Sequence, residues 1–525
     1  MRQIKMLDCT LRDGGCVNNF NFGSYYMNEI LHSVEDAGIE IAEVGYIDSQ
    51  SGSEEDRTQF ISERAISDNF LKNKKPGLTY VAMIDYGKFS PELLHFCDKN
   101  TIDGIRLAFH KKDRKNILEW GREILDKGYQ LFIQPMTCLR YSDAEMLDLI
   151  NDVNTFLPEA TAFYIVDSFG EMRLKEMDRL VNLVDHNLNE SISLGLHSHN
   201  NLQLSYSNAI TLLNFQTNRN LIFDSSIMGM GKGAGNMNTE LFAEHLNMYE
   251  GKQYNIPALL KVIDEVINQI RENYSWGYGV EYYLSAINHC TPSYAGHFFK
   301  KHMLSISQVA ELLGCIREEK KISFDKKYAD ELYYEYNSHS YNDDKDINEL
   351  KEKMCNKNIL ILAPGRSVLK YKKKIEEKAN EENTVTIALN NKSVINCDYT
   401  FITKVAVYDV VKGTPTHIIL TSNVPINDKE CNIVNYDSLT NSGKGESDNS
   451  TIMLMNLLIK CGVKNCSLAG FDGFSSDVDA NYYDEALKRP VDKKQAELRN
   501  MFIKEFLNSV KKQIQIEYIT PSKYE

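Results

Sequence analysis

The sequence predicts an α/β protein in which an N-terminal (β/α)8 barrel with a helical extension precedes a smaller α/β domain. Two observations support this fold class. Over the first 250 residues or so, short apolar runs alternate with longer amphipathic segments, and eight such runs are present. After a strongly charged stretch, the same alternation begins again at Asn358. Eight β/α units satisfy a closed barrel, although a doubly wound open sheet could use the same pattern.

The eight candidate barrel strands are short, apolar and mostly followed by a helix-like stretch such as Tyr25–Ala37 or Ser142–Phe156. They are Ile4–Leu7, Ile41–Gly45, Thr79–Ile84, Gly104–Ala108, Gln130–Gln134, Ala162–Val166, Ser193–His197 and Leu221–Ser225. A Gly-x-Gly-x-x-Gly motif does not follow the first strand, which argues against a dinucleotide site there.

At 525 residues the chain is too long for one core, so we expect several domains. We place the barrel at residues 1–250, a helical extension at 251–337 and a linker at 338–350, where charge is concentrated. Residues 351–525 form the predicted second domain, a Rossmann-like sheet.

Composition excludes several function classes. The net charge of −14 argues against a general binder of nucleic acid or anionic membranes. The sequence contains neither an apolar run of membrane-spanning length nor the pattern of a signal peptide. The 11 cysteines are scattered singly, which indicates reduced thiols. We therefore expect a cytoplasmic protein. We also predict a homo-oligomer.

Polar residues follow the candidate strands, and in a barrel the carboxyl ends of all strands meet at one face. His197 and His199 stand at positions i and i+2 of a strand, so both imidazoles can reach one ion. Asp13, at the end of the first strand, could add an oxygen ligand. These three residues predict a divalent-metal site.

A glycine-rich segment, Met228-Gly-Met-Gly-Lys-Gly-Ala-Gly-Asn236, follows the eighth strand. Its amides could contact an anion, or its bare backbone could pass close to a ligand. A turn that requires positive φ angles explains the glycines equally well. The Gly-Lys-Ser/Thr order of a P-loop is absent.

Three motifs together resemble the metal-dependent DRE-TIM lyases and aldolases. They are Asp8-x-Thr10-Leu11-Arg12-Asp13-Gly14, His197-x-His199 and Gly-x-Gly-x-Gly-x-Gly-Asn236. The 4-hydroxy-2-oxovalerate aldolases look most similar, through residues 166–170 and 195–201, and the resemblance covers about residues 3–300.

The resemblance implies a divalent ion, Mn²⁺ or Mg²⁺, bound by Asp13, His197 and His199, with Asn236 approaching it in some relatives. It also implies a 2-oxo acid substrate, an aldehyde partner, and stabilisation of an enolate by Arg12. One position departs from the family. Where the aldolases have a proton-transferring histidine, three residues after the metal aspartate, this chain has Cys16.

Cys16 could replace that histidine only with a lowered pKa. Tyr46, His110 and Tyr141 are the other acid/base candidates.

The second domain starts with the buried-strand run Asn358–Ala363, a Pro364-Gly365-Arg366-Ser367 turn and a helix-like stretch. Such a turn can bind an anion, although a plain β–α connection explains it too. Residues 363–367 and 468–473 faintly resemble sialyltransferase-like folds that handle nucleotide sugars. That resemblance implies a nucleotide or phosphosugar pocket lined by Gly365, Ser367 and Asp472. A sheet that serves only assembly or regulation is the alternative.

The leading hypothesis is a metal-dependent carbon–carbon lyase or aldolase acting on a 2-oxo acid, in surface-polysaccharide or sugar-acid metabolism. One alternative is an acyl-CoA-dependent Claisen condensation, as in the isopropylmalate synthases. Another is a metabolite-binding protein that keeps the scaffold without catalysis.

Overall fold

The computed structural model describes residues 2–525 except 52–55, 72–73, 99, 302–303, 339, 427, 429, 441–447, 489–490 and 492. The chain folds as two compact units. The first comprises Met1–Gly296 and Lys321–Ser323, and the second comprises His297–Lys320 and Phe324–Glu525. The predicted extension at 251–337 is thus divided between the two units.

The first unit is built on a closed ring of eight parallel strands, which confirms the predicted barrel and excludes an open sheet. The ring closes because β1 pairs with β9 on one side and with β2 on the other. The two-residue strand β3 pairs with β2 beside the ring and was not predicted. The strands are β1 Ile4–Asp8, β2 Ile41–Ile47, β3 Gln59–Phe60, β4 Thr79–Asp85, β5 Gly104–Phe109, β6 Gln130–Pro135, β7 Ala162–Asp167, β8 Ser193–Ser198 and β9 Leu221–Ser225.

Helices follow most barrel strands and cover the ring. One begins with a capping box, in which the Ser142 hydroxyl accepts from the Glu145 amide and the Glu145 carboxylate accepts from the Ser142 amide. The helices of this region are Gly15–Asn18, Ser24–Ala37, Glu63–Asn69, Ile117–Asp126, Asp143–Phe156, Leu174–Asp185, Ser205–Leu213 and Thr239–Tyr249, with short 3₁₀ turns at Pro91–Leu93, Lys111–Asp113, Cys138–Arg140 and Ile227–Gly229.

Helical segments continue after the barrel. Trp276 connects this region to the glycine-rich segment through a hydrogen bond. Its indole N–H donates to the carbonyl of Met228 at 2.9 Å. The helices are Ile256–Val262, Asn268–Asn273, Val280–Ile287, Pro292–Lys301, Ile306–Gly314, Lys326–Asn337 and Asp344–Met354, with a π-helical turn at Ile263–Ile267 and a 3₁₀ turn at Glu318–Lys320.

The second unit contains a seven-stranded parallel sheet with the order β14-β13-β12-β11-β10-β15-β16. The chain runs outward from β10 to β14 and then returns to the other side of β10. The strands are β10 Asn358–Leu362, β11 Thr384–Leu389, β12 Tyr399–Ile402, β13 His417–Thr421, β14 Asn432–Val434, β15 Asn465–Ala469 and β16 Gln515–Tyr518. The apolar run Asn358–Ala363 had predicted β10.

Both faces of this sheet are covered. Ile359 and Ile361 join a core cluster with the helix Ser450–Lys460, whereas Leu360 and Leu362 join a cluster on the opposite face. Alternating side chains of a strand point to opposite faces, so a buried strand reads as a continuous apolar run. The helices of this domain are Ser367–Lys370, Lys372–Ala379, Val405–Val411, Tyr436–Leu439, Ser450–Lys460, Val478–Asn481 and Lys493–Val510, with a 3₁₀ turn at Glu485–Leu487.

The predicted linker at 338–350 includes the first residues of the helix Asp344–Met354. Leu350 and Met354 of that helix are fully buried in the core of the second unit. Of the charged residues that suggested a linker, Asp344 and Lys345 are exposed, whereas Asp346 and Glu349 are half-buried and accept hydrogen bonds from Asn432 of β14. Among the described residues, none of the helices combines the length and apolar character needed to cross a membrane.

Candidate active site

Asp13, His197 and His199 converge at the carboxyl end of the barrel. Asp13 follows β1, His197 lies in β8, and His199 directly follows β8. One ligand atom from each residue lies within 4.8 Å of the others, and all three side chains are buried. Two imidazole nitrogens and one carboxylate oxygen in this space could hold a single divalent ion. The three side chains predicted to form a metal site therefore lie together.

The side chain of Asn236 joins this group. An isolated β-bridge pairs Asn236 with His199. Its Nδ2 donates to Oδ2 of Asp13 at 2.7 Å, and its Oδ1 is buried without a hydrogen-bond partner in the described part of the chain. A buried amide oxygen is costly unless it is satisfied, and a hard divalent ion accepts such an oxygen as a ligand. These residues fit a divalent cation.

Gly231 lets the glycine-rich segment approach the cluster closely. A Cβ atom there would lie 2.3 Å from Nδ2 of Asn236 and 2.5 Å from Oδ2 of Asp13. Three further glycines of the segment have positive φ angles, 62° at Gly229, 70° at Gly233 and 80° at Gly235. The glycines therefore serve both purposes that the sequence left open: the backbone passes close to other groups, and the turns require positive φ angles.

A carboxylate on the neighbouring strand orients His197. Its Nδ1 lies 2.9 Å from Oδ2 of Asp224, which leaves Nε2 for a ligand on the open side. The same Asp224 oxygen accepts from the fully buried Arg106. Arg106 also donates to Glu43 at 2.6 Å.

Glu43 links this pair to the first strand. Its Oε2 accepts from Nε of Arg12 at 2.8 Å, and Nη1 of Arg12 donates to Oδ1 of Asp13 at 2.7 Å. The network thus contains three carboxylates, those of Asp13, Glu43 and Asp224. It contains two guanidinium groups, those of Arg12 and Arg106. A bound cation would offset the excess negative charge, which is costly to bury alone. Nη2 of Arg12 is buried and lacks a partner among the described residues.

The protonation states suit metal binding. Burial lowers the pKa of His199 to about 4, against the opposing effect of Asp13, so this imidazole is neutral near pH 7. Burial by itself would raise the pKa of Asp13, but His199, Arg12 and His197 hold it well below its ordinary value. A neutral imidazole and an ionised carboxylate are the forms that coordinate a metal.

Cys16 does not have the lowered pKa that it would need to replace the proton-transferring histidine of the aldolases. It lies in the short helix Gly15–Asn18 and the residue is exposed at the surface, while nearby protein partly desolvates its thiol. Desolvation, and then the charge of Asp13, raise its pKa to about 12. A thiol with that pKa stays protonated at neutral pH and is a poor proton acceptor.

The other acid/base candidates lie at the same face. Tyr46 is in β2, and desolvation followed by the charge of Asp85 raises the pKa of its hydroxyl strongly. His110 directly follows β5, and its Nδ1 is buried without a partner in the described chain. Burial raises the pKa of the Tyr141 hydroxyl as well.

Sequence reasoning missed Asp224 and Asp85. Asp224 interrupts the otherwise apolar strand β9, and a charged residue within such a strand is the signal that could have identified it. Asp85 ends β4, where the barrel pattern places chemistry. Glu43 in β2 and Arg106 in β5 were not predicted to form one network with Arg12 and Asp224.

In the second domain the Pro364–Ser367 turn is closed by protein groups. The Asp472 carboxylate accepts from the amide of Ser367 at 2.8 Å and from its hydroxyl. The amide of Gly365 donates to the carbonyl of Gly470 at 3.1 Å. Arg366 donates to the carbonyl of Asp479 at 2.6 Å. The anion site suggested for this turn is therefore occupied by Asp472 itself.

A cavity lies beside this turn at the carboxyl ends of β10, β11 and β15. It encloses about 760 Å³, counted with its open mouth. Gly365 and Asp472 line it, together with Lys404, Phe474 and Tyr482. The first residues of the helix Ser450–Lys460 also line it. The cavity lies where the strand order reverses, the usual ligand position in open α/β sheets.

Residues 109–266 match the HMGL-like family. A 4-hydroxy-2-oxovalerate aldolase from Pelotomaculum thermopropionicum is 25% identical over 268 residues, covering 50% of this chain and 75% of that protein. The enzyme of that name from Carboxydothermus hydrogenoformans is 27% identical over 252 residues, covering 46% and 69%. The HMG-CoA lyase structure from Brucella melitensis has 12% identity and a TM-score of 0.41, covering 52% of this chain and 100% of that chain. Residues 109–266 of the barrel thus match the HMGL-like family, in agreement with the resemblance carried by its motifs.

Proposed function

We propose that the barrel catalyses divalent-metal-dependent cleavage or formation of a carbon–carbon bond in a 4-hydroxy-2-oxo acid. One relationship carries the proposal. Beside the buried group Asp13, His197 and His199, the Nη2 of Arg12 is buried and lacks a partner in the described chain. A cation site adjoining an unused guanidinium donor suits a substrate with neighbouring carboxylate and carbonyl oxygens. The aldolase names of the similar proteins agree with this substrate class.

Asp13, His197 and His199, with Oδ1 of Asn236, would hold the ion. We propose Mg²⁺ or Mn²⁺, because both accept the carboxylate, amide and imidazole ligands present. When bound, the ion supplies Lewis-acid stabilisation of negative charge on the substrate oxygens.

Arg12 donates to the oxygen on which enolate charge develops. Glu43 and Asp13 hold its guanidinium on two sides, so its free N–H needs little reorganisation when that charge appears. Preorganised donors of this kind contribute about 100-fold or more to a rate. We therefore assign to Arg12 the stabilisation of the enolate.

Metal analysis and oxalate binding test the proposal. Oxalate has the shape and charge of a pyruvate enolate, so the wild-type protein should bind it in calorimetry only when Mg²⁺ or Mn²⁺ is present. His197→Ala should lose both the metal and the oxalate signal. His186→Ala, which replaces an exposed histidine at a helix end, is the matched control and should retain both. Oxalate binding that is the same with and without metal would refute the proposal.

A turnover panel separates the proposed reaction from its two alternatives. Release of pyruvate from 4-hydroxy-2-oxo acids that differ in the group on C4 supports the lyase. Release of free thiol from acetyl-CoA with a 2-oxo acid would instead identify a Claisen condensation. Metal-dependent ligand binding without turnover in either assay would identify a binding protein.

For the second domain we propose a nucleotide or phosphosugar ligand in the cavity beside Gly365 and Asp472. Ser367 contributes indirectly, by holding Asp472. Lys404 and the amino end of the helix Ser450–Lys460 would face the phosphate, and Phe474 and Tyr482 the base or sugar ring. Calorimetry with nucleoside monophosphates and sugar phosphates tests this. Lys404→Ala should weaken binding at least about tenfold, whereas Lys412→Ala, outside the cavity, should not.

A further inference from the structure

Three neighbouring strands of the barrel end in polar side chains at the mouth that holds the metal-ligand cluster. Tyr46 is near the end of β2, Asp85 ends β4, and His110 follows β5. The strand pairing makes them near neighbours on adjacent strands, because Tyr46 pairs with Met83, two residues before Asp85, and Asp85 pairs with Ala108, two residues before His110. None of these strands contributes a ligand to the cluster.

Asp85 is the central group of this trio. Its half-buried carboxylate interacts with the hydroxyl of Tyr46 and with the charges of Arg12, His110 and Lys88. Its charge also acts on the thiol of Cys16. Asp85 therefore lies close to both the enolate-stabilising arginine and the position where the resembling aldolases carry their proton-transferring histidine.

We propose that Asp85 is the general base of the reaction and that Tyr46 positions it; this rests on the proposed function. In the cleavage direction, the Asp85 carboxylate accepts the proton of the substrate 4-hydroxyl. The C3–C4 bond breaks, C4 becomes an aldehyde carbon, and the bonding electron pair forms the enolate of the 2-oxo acid. The proton then passes from Asp85 to C3, so the products are an aldehyde and a 2-oxo acid without net release of a proton.

The surroundings of Asp85 suit this role better than those of Cys16. Burial raises the pKa of Asp85, while Tyr46, Arg12, His110 and Lys88 oppose that effect. Its carboxylate is thus a stronger base than an exposed one. The thiol of Cys16, with a pKa of about 12, lacks the anionic form that could accept a proton.

Asp85→Asn in the full-length, metal-loaded protein tests the assignment. We expect kcat for cleavage of 4-hydroxy-2-oxovalerate to fall about 100-fold or more, which is the usual contribution of a general base. Metal content and oxalate affinity should stay within about threefold of the wild type, because Asp85 is not a ligand. Glu92→Gln, an acid-to-amide change at an exposed residue of the loop after β4, should leave kcat unchanged.

Tyr46→Phe supplies a second measurement that a merely structural role would not change. The Tyr46 hydroxyl lowers the pKa of Asp85, so its removal should move the acidic limb of the kcat/KM profile to higher pH. If the wild type cleaves substrate and Asp85→Asn does so equally fast, Asp85 is not the base, although the lyase proposal stands. If the wild type with metal cleaves none of the 4-hydroxy-2-oxo acids, both proposals fail. An unshifted profile in Tyr46→Phe would exclude its positioning role.

Discussion

Nδ1 of His197 lies 2.9 Å from Oδ2 of Asp224, on the adjacent strand β9. A carboxylate in this position fixes the ring and makes the remaining nitrogen a better metal ligand. We predict that Asp224→Ala weakens Mn²⁺ binding about 10- to 100-fold, measured by calorimetric titration. Asp224→Asn retains a hydrogen-bond acceptor and should have a smaller effect. Equal affinities in the wild type and Asp224→Ala would show that Asp224 does not support the metal site.

Arg106 is fully buried between Glu43 and Asp224. We predict that Arg106→Met lowers the free energy of unfolding by about 3–5 kcal/mol, because two buried carboxylates lose their common partner. Urea unfolding measures this. Arg122 is the matched control, since its pairs with Asp126 and Glu159 are exposed and Arg122→Ala should cost less than about 1 kcal/mol. A loss at Arg106 as small as that at Arg122 would contradict the prediction.

Gly231 has no room for a side chain beside Asn236 and Asp13. We predict that Gly231→Ala loses metal binding while the barrel stays folded, because the added methyl group displaces the loop that carries Asn236. Inductively coupled plasma analysis of metal content and circular dichroism measure the two outcomes. Gly296→Ala, at a helical position with nothing within 4 Å of the new Cβ, is the control and should bind metal normally. Normal metal content in Gly231→Ala would mean that the close approach is unimportant.

Burial raises the pKa of Asp8 from its ordinary value of 3.8 to about 6, although hydrogen bonds from Thr239 and Thr10 oppose this. Between these two values the folded protein holds a proton that the unfolded chain has lost. Stability should therefore fall as pH rises through this window, by up to about 1.4 kcal/mol per pH unit. Asp8→Asn cannot ionise and should abolish this contribution. Parallel curves of unfolding free energy against pH for the two proteins would contradict the prediction.

Local patterns predicted much of this molecule. Apolar runs of strand length located all eight barrel strands, because strands buried on both faces tolerate few polar side chains. The i and i+2 spacing of His197 and His199 indicated a shared ligand, since alternate residues of a strand share a face. Motifs that lie far apart in the chain indicated that Asp13, Arg12 and Asn236 belong to one site.

Other features depend on contacts between residues distant in sequence. The ring closes only because β1 pairs with both β2 and β9, and this pairing distinguished a barrel from an open sheet. Asp472 fills the turn at Ser367 from 105 residues away, so an apparent anion site became a closed one. The charge of Asp85, on a neighbouring strand, raises the pKa of Tyr46, and desolvation and the charge of Asp13 raise the pKa of the Cys16 thiol. Residue type and spacing specify which elements form, but proton affinity and pairing depend on which charges the folded chain brings together.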